Sequence, residues 1–287
     1  PITEFWSLGL RYGLSQAEVS LDKSVYFTNG KCNLFTAGSY LCDLVGPTGK
    51  SNRTTSSLGY TLVFDNRDNA IRPSRGQRFT FSQDVAGVGG GVKYVNSRID
   101  YDRYWRLFGS NWVLRTGAEG GAVFGWGGQN VRINDRYFLG GPRIRGFEIR
   151  GIGPRSVRTC TKEGVTAKSC TSEGLSYDDP LGGEFYYLGS MELEVPLGAA
   201  ASEMGLRTSA YVDVGSLWKI SKASAVGTTP GITEELLGDT PSPRVSVGIG
   251  VSWNSPFGPF RIDLAKALVK EEGDDTEVFQ FNIGTNF

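Results

Sequence analysis

The sequence predicts an all-β chain, an antiparallel transmembrane β-barrel with about ten strands here, and three observations carry that prediction. The last nine residues, Phe279 to Phe287, alternate apolar and polar and stop on an aromatic. A period of two sets one face against an apolar phase and the other against water. No apolar run approaches the roughly 18 residues a membrane helix needs, which leaves alternating strands as the way across a bilayer. Composition agrees, with 40 Gly, 12% aromatics and only 2 Met in 287 residues; glycine at that level suits turns, bulges and crowded strands.

Ten stretches alternate. The apolar phase of the first is Trp6, Leu8, Leu10, Tyr12 and Leu14, and of the second Leu58, Tyr60, Leu62 and Phe64. Phe79 and Phe81 mark the third, Val95, Ile99, Tyr101 and Trp105 the fourth, and a Gly-rich fifth runs from Trp112 to Phe124. After a long interruption come Phe185 to Leu197, Val212 to Trp218, Val245 to Trp253, Phe260 to Leu264, and the terminal strand. The opposite phase is polar or tiny, as in Arg244, Ser246, Gly248, Gly250, Ser252 and Asn254. Such a face lines water or packs an internal plug. On this reading Val247 faces lipid and Ser246 faces the lumen, so arginine is costly at the first and tolerated at the second.

The connections come in two lengths. Asn254 to Pro259 and Pro196 to Gly198 are tight, whereas 15–57, 127–183 and 219–243 are long and rich in Gly, Ser, Thr and charge. Short turns on one rim and long loops on the other is the asymmetry of outer-membrane barrels. Trp105, Trp112, Trp126, Trp218 and Trp253, near strand ends, suit interfacial girdles.

Several chemistries are excluded. Thirty basic residues balance thirty acidic ones, so no basic field recommends nucleic acid. With no histidine, imidazole metal sites and Ser-His-Asp or Cys-His machinery are ruled out; no enzyme activity, cofactor or metal is expected. Asp178-Asp179 and Asp274-Asp275 are expected to be solvated turn carboxylates. Gly87 to Lys93 fits neither phosphate-binding glycine pattern and is expected to be a flexible turn. Cys32 with Cys42, and Cys160 with Cys170, are each ten apart inside a long loop, close enough to bridge a hairpin and without zinc-site spacing. Disulfides there imply an oxidising compartment.

The most specific words lie in 127–183. Phe138-Leu139-Gly140-Gly141-Pro142-Arg143-Ile144-Arg145-Gly146-Phe147 sets Arg145 between glycine-rich backbone and an aromatic, and Gly151-Ile152-Gly153-Pro154-Arg155 follows. A loop of this length is usually functional or disordered, and folding into the lumen gives it a wall to pack on. Buried there, Arg145 needs carboxylates. The polar phases of neighbouring strands supply Glu192 and Glu194 on one and Asp213 on the next.

These words resemble the BamA-like outer-membrane assembly factors, the barrel insertase family, with their two-partner-secretion relatives, across the whole chain. Arg145-Gly146-Phe147 resembles the family's R-G-F/Y signature at the tip of the inward-folded sixth loop. Phe64-Asp65-Asn66-Arg67-Asp68, Tyr211-Val212-Asp213-Val214-Gly215 and Ser255-Pro256-Phe257-Gly258-Pro259 resemble family words in the same order. Cys160 and Cys170 resemble the disulfide of that loop in the assembly factors.

The resemblance implies that residues 1–287 are the C-terminal part of a sixteen-stranded barrel, with no POTRA domain, signal peptide or initiator Met in the sequence. It implies a clamp of Arg145 by Glu194 and Asp213, with Glu192 as the alternative on the same side. It implies a lateral gate at the last strand, with Gly284 as its kink and Phe287 at its end. Function follows as an expectation: insertion and folding of client β-barrel proteins in the bacterial outer membrane, without nucleotide. The partners would be clients, assembly lipoproteins, the bilayer and lipopolysaccharide. A two-partner-secretion pore and a passive porin-like channel are the alternatives.

Overall fold

A computed structural model describes the chain except for residues 109–111, 162–173, 175, 199–203, 222–230, 256–257 and 285–287. Ten long strands form one antiparallel sheet in sequence order: β1 (Trp6–Ser20), β4 (Lys50–Asp65), β5 (Gly76–Ala86), β6 (Tyr94–Leu107), β7 (Trp112–Gly125), β10 (Phe185–Val195), β11 (Leu206–Trp218), β13 (Arg244–Ser255), β14 (Gly258–Val269) and β15 (Phe279–Ile283). Neighbour-to-neighbour order is the up-and-down meander of a barrel wall. β1 and β15 are its edges, and among the described residues they do not pair with each other. No helix among the described residues is long and apolar enough to cross a membrane.

Register follows from the alternation. Val212 stands opposite Val247, and Asp213 opposite Ser246, so the apolar phase shares one face and the polar phase the other. A slip of one residue would exchange the two faces.

The expected loop boundaries need correction at the first connection. β1 runs on to Ser20 and β4 begins at Lys50, so the loop is shorter than 15–57. Hydrophobicity hid the extensions: beyond Leu14 the strands carry polar residues that pair with each other, Gln16 Nε2 donating to Asn52 Oδ1 at 3.0 Å and Glu18 meeting Lys50 at 3.8 Å. These strands project past the apolar band into water.

The long loops are also structured. The first holds α1 (Lys23–Tyr26), β2 (Phe27–Thr28), β3 (Lys31–Cys32) and α2 (Leu34–Val45), and the expected Cys32–Cys42 disulfide ties β3 to α2, with Cα atoms 5.7 Å apart. Asn33 caps α2, its side chain accepting from the amides of Phe35 and Thr36. β8 (Arg155–Cys160), β9 (Ser176–Pro180) and β12 (Ile232–Leu237) form a second, three-stranded sheet. Phe35, Cys160 and Ile232 pack together, so α2 closes over this small sheet. Cys160 carries no free thiol; Cys170 lies outside the described residues.

Among the paired carboxylates, Asp178 and Asp179 lie on β9 instead of in a turn and, like Asp275, keep partly exposed side chains, while Asp274 is buried against the solvated role expected of it. Asp178 and Asp275 both hold buried Arg155, at 2.8 and 2.7 Å, Asp179 pairs with Arg158, and Asp274 pairs with Arg244 at 3.0 Å with both side chains fully buried. Burial works against the Arg155 charge, yet the hydrogen bond and charge of Asp178, with the charge of Asp275, raise its pKa above the ordinary arginine value. Gly87 to Lys93 is likewise anchored: the amides of Gly87 and Gly91 donate to the carbonyls of Ser56 and Thr54.

Candidate functional site

The segment between β7 and β10 folds back across the inner wall. A short 3-10 turn at Gly141–Arg143 reverses the chain, entered through Gly140 at φ 130°. A Cβ on Gly140 would overlap the Glu148 carbonyl oxygen, so no other residue fits. Gly146, at φ 88°, lies so close to β13 and β14 that a Cβ would stand 3.1 Å from that of Ser246 and 3.3 Å from that of Ala265. The flanking residues Leu139, Ile144, Phe147 and Ile152 pack with Val123, Tyr186 and Leu217 of the wall into the main apolar cluster.

Arg145 then points into the wall. Its Nε and Nη2 make a two-pronged contact with Asp213, each at 2.7 Å, its backbone amide donates to the same carboxylate at 3.2 Å, and Nη1 meets Glu192 Oε2 at 2.8 Å. The Tyr211 ring lies against the guanidinium. Glu192 also accepts from Arg261 at 2.8 Å, and Arg261 pairs with Asp263 at 2.9 Å. The chain of charges therefore runs Asp213, Arg145, Glu192, Arg261, Asp263, joining the loop to β10, β11 and β14. Two-pronged Arg–carboxylate geometry is the strongest way to hold such a charge out of water.

The expected Glu194 contact is corrected. Glu194 faces the same side but lies one pleat nearer the turn, where it pairs with Arg207 at 2.7 Å; Glu192 fills its expected place. Above the clasp, Arg143 meets Glu119 at 2.5 Å, and Glu119 also accepts from Tyr186. A cavity of about 410 Å³ remains between loop and wall, bounded by Asp100, Asp102, Arg115, Arg143, Arg145 and Glu192.

The loop is also tied to the last hairpin. Phe147 bridges Thr276, Glu277 donates its amide to the Gly146 carbonyl at 3.1 Å, and Gln280 Nε2 on β15 donates to the Phe147 carbonyl at 2.8 Å. Gly284, just past β15, takes φ 128°, and its amide donates to the Pro259 carbonyl. Phe287 lies outside the described residues.

The model of the Omp85 superfamily domain matches residues 1–287. The chain belongs to the Omp85 superfamily. Within it, the chain is 34% identical over 232 residues to the outer membrane protein assembly factor BamA of Neorickettsia risticii, covering 81% of this chain and 27% of that protein. It is 33% identical over 172 residues to the sorting and assembly machinery component 50 homolog of Xenopus tropicalis, 58% of this chain and 32% of that one. The crystal structure of BamA from Haemophilus ducreyi lacking POTRA domains 1-3 superposes with a TM-score of 0.74 at 24% identity, over 98% of this chain and 51% of that chain. The matched region thus spans about a third or less of the length of these two curated relatives.

In this Omp85 domain, no motif pointed to Arg261, Asp263, Glu119 or Gln280, and Tyr211 stood in a family word without its place against Arg145 being legible. Most of them lie on the polar phases of strands whose apolar phases stand out in the sequence. Arg261 and Asp263, for instance, alternate with Phe260, Ile262 and Leu264, so the signal was present two residues apart.

Proposed function

We propose that the chain is the C-terminal barrel segment of an outer-membrane protein assembly factor in the bacterial outer membrane. It acts without catalysis, admitting client β-barrel proteins at the seam beside β15 in concert with assembly lipoproteins, in a bilayer that includes lipopolysaccharide. The observation that carries this reading is the fixed loop: Arg145 is clasped by Asp213 and Glu192, while Gly146 and Phe147 bond to β15 and the connection before it. The clasp anchors the loop to the wall, and of the two residues after it Phe147 reaches the edge strand and Gly146 the connection that leads into it.

β15 suits exchange. Among the described residues its ladder to β14 runs from Phe279 to Ile283, and an edge strand offers unpaired amides and carbonyls to an incoming strand. Pairing a client strand replaces like hydrogen bonds with like, so no nucleotide is needed. The driving force is the client's own burial of apolar surface in the bilayer.

The test is client folding into liposomes that contain the full-length protein. Wild type is expected to accelerate folding, and Arg145→Ala to lose most of that acceleration with the barrel still folded. Ion conductance without any acceleration by wild type would favour the passive channel, and export of a soluble passenger would favour the secretion pore.

A further inference from the structure

We propose that the lipid-facing side of β5 and β6, at the short-turn rim, holds a binding site for the phosphodiester headgroup of an anionic glycerophospholipid. The outward face there is identified by its opposite. Asp100 and Asp102 of β6 border the same cavity as Arg145, so Ile99, Tyr101, Arg103 and Trp105 face away from the lumen. In the ladder, Phe79 stands opposite Tyr101 and Gln77 opposite Arg103, which continues the lipid-facing column to the rim. Two arginines, Arg75 and Arg103, end that column where apolar residues fill it above.

Arg75, Gln77, Arg103, Trp105 and Arg106 border an open cavity of about 520 Å³. Arg103 lies over the Trp105 ring at 5.0 Å, which holds the guanidinium at the height where aromatics meet headgroups. Tyr101 donates its hydroxyl to Gln77 Oε1 at 2.8 Å, fixing the floor. The nearby carboxylates are engaged elsewhere: Asp65 with Arg67, Asp102 with Arg115 on the lumen side, and Asp68 with Ser74 and the amides of Ser74 and Arg75. Arg106 donates to Ser74 Oγ at 2.5 Å. Among the described residues, Arg75 and Arg103 have no carboxylate partner, and both are exposed.

Two unpaired guanidiniums beside an interfacial aromatic match a phosphate by charge and by planar donor geometry. The apolar column of Tyr101, Ile99, Phe79 and Phe81 above them is where acyl chains lie, which favours a lipid over a free anion. It also favours lipid over an acidic protein face, which would have to enter the hydrocarbon edge to reach Arg103.

The experiment is native mass spectrometry of the full-length protein released from detergent, titrated with phosphatidylglycerol or phosphatidylcholine. Wild type is expected to retain phosphatidylglycerol in preference, and Arg75→Gln/Arg103→Gln to require about tenfold more lipid, the size of one or two lost charge-assisted hydrogen bonds. Arg72→Gln, at the turn tip, should retain lipid as wild type does, and a heat-modifiable gel band confirms that each variant is folded. Equal retention by the double variant, or displacement of phosphatidylglycerol by equimolar glycerol phosphate, would overturn the proposal. So would unchanged lipid retention alongside lost capture of an acidic periplasmic protein.

Discussion

The two halves of the sheet share one alternation and differ in what covers the polar face. On β1, from Trp6 to Ser20, no residue is buried, whereas β11 buries Ser209, Tyr211, Asp213, Gly215, Ser216 and Leu217 beneath the folded-back loop. The same charge pair therefore has a different worth on each side. Arg11 meets Asp84 at 2.5 Å with side chains 41% and 30% exposed, while Arg145 meets Asp213 with 7% and 4%. Alternation reports lipid against non-lipid; only packing decides whether the non-lipid face is wet.

The largest expected effect follows from that contrast. Arg145→Ala strands two buried carboxylates and should cost roughly 3–5 kcal/mol in bilayer unfolding titrations, the usual loss on breaking a buried pair. Arg11→Ala should cost under about 1 kcal/mol, as exposed pairs do. Similar losses at both sites would erase the distinction between the halves.

A second set of substitutions sharpens it. Val247→Arg should cost about 2–4 kcal/mol by placing charge in lipid. The expectation that Ser246→Arg is tolerated does not survive: Ser246 is fully buried with Gly146 against it, so arginine there must displace the loop and should cost more than about 2 kcal/mol, on the order of overpacking. Ser15→Arg, on the same phase of exposed β1, should stay within about 0.5 kcal/mol. Folding titrations of the three variants rank them directly.

Much of this was legible in the sequence, and for a definite reason. Outward residues such as Leu10, Val247 and Phe281 answer to one solvent, so period two exposes them. The word Arg145-Gly146-Phe147 was legible because Gly146 must allow close approach to β13 and β14. The choice between Glu192 and Glu194 was not, because both share a face and only the loop's depth in the lumen separates them. Nor was the Arg244–Asp274 pair: Asp274 looks like any turn carboxylate until the loop over it removes water.

Two smaller effects probe the rims. Cys32→Ser should lower stability of the first loop by roughly 2–3 kcal/mol in the chain-entropy model, read as faster proteolysis between β1 and β4 while the wall stays intact. At the opposite rim, the Ser74 hydroxyl, followed by the amides of Ser74 and Arg75, holds Asp68 at about 2, below its ordinary 3.8. A folded value below the unfolded one stabilises at higher pH. Amide protection of Ser74 and Arg75 should therefore be full above about pH 4 and fall as pH drops toward about 2; Asp68→Asn should flatten that profile.

Arg145 is locked to Asp213 and Glu192 beneath the folded loop. A double-mutant cycle of Arg145→Ala with Asp213→Asn, and separately with Glu192→Gln and Glu194→Gln, measures this lock in the full-length protein. Coupling is expected to be about 1–3 kcal/mol to Asp213 and Glu192, with none beyond error to Glu194. Near-zero coupling to Asp213, or coupling to Glu194 as large as to Glu192, would contradict it.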